Sequence, residues 1–173
     1  NLPEANLVGV LGAVTRGGAF TLVDSAGGLT VTGPVTGGTI TNDVSISTAG
    51  GALAVNGAVS TGGAATTLTL TAPSIALAAD LDSGGGTVPL SASAAGIAQT
   101  AGAITTNGLA VTGTGTGANP FSLTRAGNSA AVFAAATAGG PLSYTNSGAV
   151  DIGSAAAVSG VNTGGQNFTL AAG

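Results

Sequence analysis

Eight side chains carry the charge of this 173-residue chain near neutral pH: the carboxylates Glu4, Asp24, Asp43, Asp80, Asp82 and Asp151, and the guanidinium groups Arg16 and Arg125. Only Asp80 and Asp82, in the run Asp80-Leu-Asp82-Ser-Gly-Gly-Gly, stand close enough in sequence to act together. Residues two apart on a strand point to the same side. The pair is therefore a candidate Ca²⁺ site, provided backbone carbonyls complete the roughly six to eight oxygens that ion takes. The spacing matches neither an EF-hand loop nor a glycine-aspartate nonapeptide, and a solvated turn accounts for the same residues.

The missing residue types narrow the chemistry further. The chain has no His, Cys, Lys, Met or Trp. That removes Ser-His-Asp and Cys-His nucleophiles, thiolate and imidazole metal ligands, and disulfides. A polysaccharide lyase or hydrolase needs carboxylates or cations grouped on one face. Arg16 and Arg125 lie 109 residues apart (125 − 16) and do not converge. The expectation is a protein that is not an enzyme and takes no cofactor. Two cations make no basic stripe for phosphates or acidic lipid, so nucleic acid is not an expected partner. The glycine clusters Gly84-Gly85-Gly86 and Gly113-Thr-Gly-Thr-Gly117 lack the lysine and following helix of a phosphate loop and read as turns.

What would position these groups is set by the apolar pattern. Charged residues are 5% of the chain, against about 25% in an average soluble domain, and 32 residues are Gly. High hydrophobicity with a net charge of only −4 argues for a folded chain rather than a disordered linker. Period-two stretches recur: Phe20-Thr-Leu22, Leu29-Thr-Val31, Val44-Ser-Ile46, Leu53-Ala-Val55, Leu68-Thr-Leu70 and Leu109-Ala-Val111. Each reads as a short strand with one buried face, and Gly-Gly, Asn-Gly, Ser-Gly and Thr-Gly pairs between them read as turns. Asn42, Asn56, Asn107 and Asn146 are expected at such turns, where asparagine tolerates positive φ.

The strands fall into two series. One starts at Phe20, Val44, Leu68, Val88, Leu109, Ala131, Val150 and Phe168, the other at Leu29, Leu53, Ile75, Ile97, Phe121 and Leu142. Both share a period of about 21 residues, the mark of a stacked repeat. The spacing predicts one domain over 1–173, an all-β parallel β-helix (β-solenoid) of about eight rungs stacked about 4.8 Å apart. Glycine every few residues and no sustained three-and-four spacing disfavour helices. An antiparallel β-sandwich is the alternative, because turn signals every eight to twelve residues suit it too. The longest nearly apolar run, Leu7 to Val14, is too short to span a bilayer as a helix. Four Phe, one Tyr and no Trp cannot build the girdles of a membrane barrel.

The runs Phe121-Ser-Leu-Thr-Arg-Ala-Gly-Asn128, Leu142-Ser-Tyr-Thr-Asn-Ser-Gly-Ala-Val-Asp-Ile-Gly153, Val158-Ser-Gly-Val-Asn-Thr-Gly-Gly165 and Phe168-Thr-Leu-Ala-Ala-Gly173 resemble the repeats of filamentous-haemagglutinin-type bacterial exoproteins. The resemblance covers the last third of the chain in sequence and the rest in composition and cadence. It implies a right-handed parallel β-helix, exported through an outer-membrane transporter and displayed at the bacterial cell surface as a fibre or adhesin. The family's amino-terminal secretion module is not recognisable, so the chain looks like a shaft segment. The opening Asn1-Leu2-Pro3-Glu4 lacks the basic start of a signal peptide, which fits an internal fragment or a processed chain.

The expected function is therefore structural: a shaft or repeat unit of a secreted surface fibre mediating attachment, cell–cell contact or biofilm. With no capping helix apparent at either end, homotypic end-to-end or lateral contacts, or continuation of the same solenoid, are the expected partners. Outward threonines in Thr30-Val-Thr32, Thr67-Leu-Thr69-Leu-Thr71 and Thr112-Gly-Thr114-Gly-Thr116 give the alternative, a module binding host or cell-surface glycans or ice. Ordinary β-propensity explains those threonines as well. Asn167-Phe-Thr169 matches a glycosylation acceptor that matters only on a eukaryotic secretory route.

Overall fold

The computed structural model describes residues 2–25, 27–36, 42–63, 65–116 and 118–173. Over them the chain winds as an all-β parallel solenoid with about six complete turns of about 24 residues, where eight of about 21 were expected, and one wall continues for two strands beyond them. The first coil is β1 (Leu2–Asn6), β2 (Val10–Leu11) and β3 (Val14–Thr15); the second is β4 (Phe20–Asp24), β5 (Leu29–Val31) and β6 (Val35–Thr36). The third is β7 (Val44–Thr48), β8 (Leu53–Val55) and β9 (Val59–Ser60); the fourth is β10 (Leu68–Ala72), β11 (Ile75–Leu77) and β12 (Leu81–Asp82). Then come β13 (Thr87–Ala92), β14 (Ile97–Gln99), the long β15 (Ile104–Thr114), β16 (Phe121–Leu123), the long β17 (Ser129–Ala138) and β18 (Leu142–Asn146). The chain ends with β19 (Asp151–Ile152), β20 (Ser154–Ala155), β21 (Val158–Ser159), β22 (Val161–Asn162) and β23 (Phe168–Ala172).

Three walls result, one more than the two series anticipated. The first stacks β1, β4, β7, β10, β13 and the later parts of β15 and β17; the second stacks β2, β5, β8, β11, β14, β16, β18 and β23. The third stacks β3, β6, β9, β12 and the opening residues of β15 and β17. Its inward column is Val14, Val35, Val59, Leu81 and Ile104. Two-residue strands give only one apolar residue per coil, too few to show an alternation, which is why this wall is hidden in the sequence.

The second series stands in full, and Phe168 extends it by pairing with Leu142. The first holds from Phe20 to Leu109 and then needs correction: Leu109 pairs with Phe133 rather than Ala131, and Val150 lies outside any strand. In the run Ser-Ala-Ala-Val-Phe-Ala-Ala-Ala-Thr-Ala of β17 small residues fill inward and outward positions alike, so the sequence offers no contrast. Steps between paired residues on the first wall, by subtraction, are 24 (Phe20 to Val44), 20 (Leu70 to Leu90), 21 (Leu90 to Val111) and 24 (Val111 to Ala135). The corners absorb these differences while the strands stay in register.

Two expected turns are strand instead. Asn107-Gly108 lies within β15, where the third wall runs straight on into the first, and Asn146 closes β18 as a buried residue. None of the four asparagines takes positive φ; among non-glycine described residues Ala65, Ala156 and Ala157 do. Elsewhere the glycines act as expected. Gly86 lets consecutive coils close up, since a Cβ there would overlap the carbonyl oxygen of Thr66 one coil below.

Inside, Leu22, Ile46, Leu70, Leu90, Val111 and Ala135 form one apolar column, and Val31, Val55, Leu77, Leu123 and Tyr144 line another. Burial of each large side chain contributes about 1.5–3 kcal/mol. Near the last coil the rings of Phe133 and Tyr144 stack with centroids 4.4 Å apart, and Phe168 stacks on Phe133 at 6.0 Å.

Candidate functional site

Asp80 and Asp82 flank the inward-facing Leu81, so both point outward, and both are exposed. Their oxygens serve the corners: Asp80 Oδ1 accepts the Ala103 N–H at 2.8 Å and Asp82 Oδ1 the Gly84 N–H at 2.7 Å. No group of three or more acidic side chains, His or Cys suited to a metal occurs among the described residues. Arg125 is exposed on the turn after β16, whereas Arg16, just beyond β3, is buried at 7% exposure. Arg16 Nη1 donates to Gly18 O and Nη2 to Ser60 O and Thr61 O, tying the first coil to the third. Burial lowers its pKa from the usual guanidinium value, and the charge of Asp43 acts in the opposite direction. The two cations thus stand in the first and sixth coils.

The interior holds polar ladders that the sequence did not announce. At the corner between the third and first walls, Thr61 and Thr66 hydroxyls lie 2.6 Å apart, and Thr66 donates to Ser83 O. Ser83 Oγ then donates to Thr106 Oγ1, which reaches Gly86 O and Gly108 O. At another corner Gln99 and Asn128 exchange amide hydrogen bonds of 2.7 and 2.9 Å, and Asn128 Oδ1 also accepts the Ile104 N–H. One coil on, Asn146 Oδ1 accepts from the Ala130 N–H and from the Tyr144 hydroxyl. These side chains satisfy backbone groups that bending coils turn away from the ladders. Asn146 stands before Ser-Gly, which signals a turn and masks this inward role.

Outside, the first wall carries in-register hydroxyls. Thr21, Ser45 and Thr69 form one column, which then passes to Pro89 and Ala110; Ser47, Thr71, Ser91 and Thr112 form its neighbour. Thr67 adjoins Thr87 in the next coil. On the second wall the column of Thr30 continues as Ala54, Ala76 and Ala98. Thr116 lies beyond β15 and bridges to Asn119, so Thr112, Thr114 and Thr116 do not share one flat surface. Two shallow grooves mark the surface, one of about 340 Å³ along Ile75, Ala76, Ile97, Ala98 and Pro120, the other of about 390 Å³ beside Thr105, Asn107 and Ser129. No ionisable side chain lines either.

The last coil carries an excursion. β19 and β22 both pair with β17, at Val132–Phe133 and at Ala135–Ala136, so they act as one strand interrupted opposite Ala134. The interruption is an antiparallel hairpin, β20–β21, whose base is closed by the Gly160 N–H donating to Gly153 O at 2.7 Å. It folds back over the outer surface of the first wall, where Ala155 and Val158 pack on the outward-facing Ala110 and Ala134.

No protein-family model, curated protein or solved structure matches this chain. The β-solenoid itself is the part of the exoprotein resemblance that the structure bears out.

Proposed function

We propose that this chain is a shaft segment of a secreted bacterial surface fibre or adhesin, similar to filamentous-haemagglutinin-type exoproteins, and that its work is mechanical rather than catalytic. The supporting observation is the second wall, in which eight strands from β2 to β23 stay parallel and in step. Each coil is fixed to the next by backbone hydrogen bonds on its walls and by apolar columns within, so bending the rod means breaking many contacts together. A nearly uncharged, groove-poor surface suits a spacer that holds another module away from the cell. Export through an outer-membrane transporter, and a role in attachment, cell–cell contact or biofilm, belong to this reading. Immunogold electron microscopy on the bacterium that makes the protein tests it. Label along thin extended surface fibres is expected, and label confined to the cytoplasm would sink the proposal.

The paired hydroxyl columns on the first wall favour a second reading, a flat surface for glycans or ice. Glycan-array binding or inhibition of ice recrystallisation, lost in a Thr69→Lys/Thr71→Lys variant, would move weight to it.

A further inference from the structure

We propose that the corner where the third wall passes into the first, within β15 and β17, is a binding groove for a neutral glycan chain. The hydroxyls of Thr105 and Ser129 and the amide of Asn107 are its recognising groups. This goes beyond the shaft reading, and it sets the site apart from the hydroxyl columns of the first wall.

The lengths of successive corners make the groove. After β12 the residues Gly84 to Thr87 lie between the buried Ser83 and Val88, whereas in β15 only Asn107 and Gly108 separate the buried Thr106 from Leu109. The step between coils is accordingly 23 residues from Ser83 to Thr106 (106 − 83) but 21 from Val88 to Leu109 (109 − 88). β17 takes the same short corner, with Ala131 and Val132 between the buried Ala130 and Phe133. Two tight corners thus lie one above the other. The wider turn at Gly85 forms one shoulder and Ala149, on the turn after β18, forms the other. Three coil-to-coil steps of about 4.8 Å separate the shoulders, so the depression is about 14 Å across. Its volume of about 390 Å³ falls within the roughly 300–1,000 Å³ of small-ligand sites. On the first-wall side the β20–β21 hairpin closes it: Ala155 stands over Gly108, where an added Cβ would lie 3.2 Å from Ala155 Cβ.

The floor supplies the chemistry. Thr105 and Asn107 are exposed on either side of the buried Thr106, and Ser129 pairs with Thr105 on the adjoining strand. Thr106 spends its hydroxyl inside the rod, on Ser83, Gly86 O and Gly108 O. The side chains of Thr105, Asn107 and Ser129 have no hydrogen-bond partner among the described residues. A hydroxyl and a carboxamide each donate and accept, as sugar hydroxyls do, so three adjoining groups of this kind match a polyhydroxyl surface. Charge selects the class. No ionisable side chain lines the groove. Asp82 is the outward neighbour of Thr105, and the exposed Asp151 pairs with Val132 at the far shoulder. Carboxylates on both borders repel an acidic ligand, and Arg125, on the turn ahead of β17, is not in the lining. With no aromatic ring on the floor for a sugar to stack on, binding is weak, which suits a titration followed by NMR.

Amide NMR of the isotope-labelled chain provides the test. Tetrasaccharides of glucose, galactose, mannose and N-acetylglucosamine serve as neutral probes, a galacturonic-acid tetrasaccharide as the acidic probe and an uncharged serine-threonine peptide as the non-sugar probe. The expected result is saturable shifts at Gly85, Thr105, Asn107 and Ser129 with at least one neutral sugar. Binding of that sugar should be about tenfold weaker in Asn107→Ala, with Ser129→Ala as a second variant. Both side chains hold nothing in the fold, so the rest of the spectrum should stay in place. Thr69→Lys/Thr71→Lys should bind like the parent. No saturable shift with any neutral sugar, shifts away from the groove, or shifts with the acidic or peptide probe alone would overturn the proposal. Binding lost in Thr69→Lys/Thr71→Lys and kept in Asn107→Ala would overturn it too, and would put the sugar on the first wall. The shaft reading stands or falls separately, on the immunogold label.

Discussion

Tyr144 is the chain's one tyrosine, 1% exposed, stacked on Phe133 and donating its hydroxyl proton to Asn146 Oδ1. Burial raises its pKa well above the ordinary phenol value. The unfolded chain ionises this phenol near its usual pKa of about 10 while the folded chain does not. Its contribution is thus fully present below that pH and is lost as pH rises from there toward the folded value. The thermal midpoint should be level from neutral pH to about 9 and fall above about 10, with phenolate absorbance appearing only as the protein unfolds. In Tyr144→Phe the alkaline fall should shrink, and an unchanged fall would assign it to other groups. The amide pair allows a sharper comparison. Gln99 sits between Leu77 and Leu123 in an apolar column, so Gln99→Leu repairs the column while Asn128 keeps its bonds to Ile104 N–H and Leu123 O. Asn128→Leu instead strands the Ile104 N–H and Gln99 Oε1 in the core. Each stranded buried group costs about 1–3 kcal/mol. Denaturant titration should place Gln99→Leu within about 1 kcal/mol of the parent and Asn128→Leu about 2–5 kcal/mol below it.

At the scale of elements, the β20–β21 hairpin turns through Ala156 at φ 44° and Ala157 at φ 66°. Two successive positive φ angles make the turn that Asn-Gly favours in tight hairpins, and alanine is strained there. Ala156→Asn/Ala157→Gly should therefore stabilise the hairpin by about 0.5–1 kcal/mol, seen as slower amide exchange at the hairpin's base; faster exchange would mean that the turn is held by its packing on Ala110 and Ala134. This element also shows where sequence reading stops. Leu29-Thr-Val31 and Leu53-Ala-Val55 were legible as strands because large and small residues alternate, and the structure places β5 and β8 over those same residues. Ser154-Ala-Ala-Ala-Val-Ser159 has no alternation and no turn residue, so nothing local announces a hairpin. Asp80 and Asp82 were legible as neighbours on one side of a strand, and the bond from the Gly84 amide to Asp82 is a local turn, but the attachment of Asp80 to the Ala103 amide depends on how coils stack. The polar ladders escaped for the same reason, since Gln99 and Asn128 are 29 residues apart and meet only through the coil.

At the scale of the molecule, the wall strands pair only with those of neighbouring coils, Arg16 alone having been seen to reach from the first coil to the third, so stability is close to a sum over coils and their interfaces. Ile75 and Ile97 hold the same place in successive coils of the second wall, 22 residues apart (97 − 75). Deleting residues 75–96 joins Ser74 to Ile97 and removes one whole coil. Leu70 then meets Val111 in place of Leu90, and Val59 meets Ile104 in place of Leu81, apolar residue for apolar residue. The shortened chain should still unfold in one cooperative transition, with a smaller denaturant dependence in proportion to the lost surface and a rod about 4.8 Å shorter. Deleting only residues 75–85, half that span, takes the second-wall strand and Leu81 from a coil that keeps its first-wall strand β13. Its columns lose their partners, and that chain should fail to give a cooperative transition. Equal stability of the two deletions would show that the coils are not independent repeats. It would remove the physical basis for a shaft whose length is set by the number of coils.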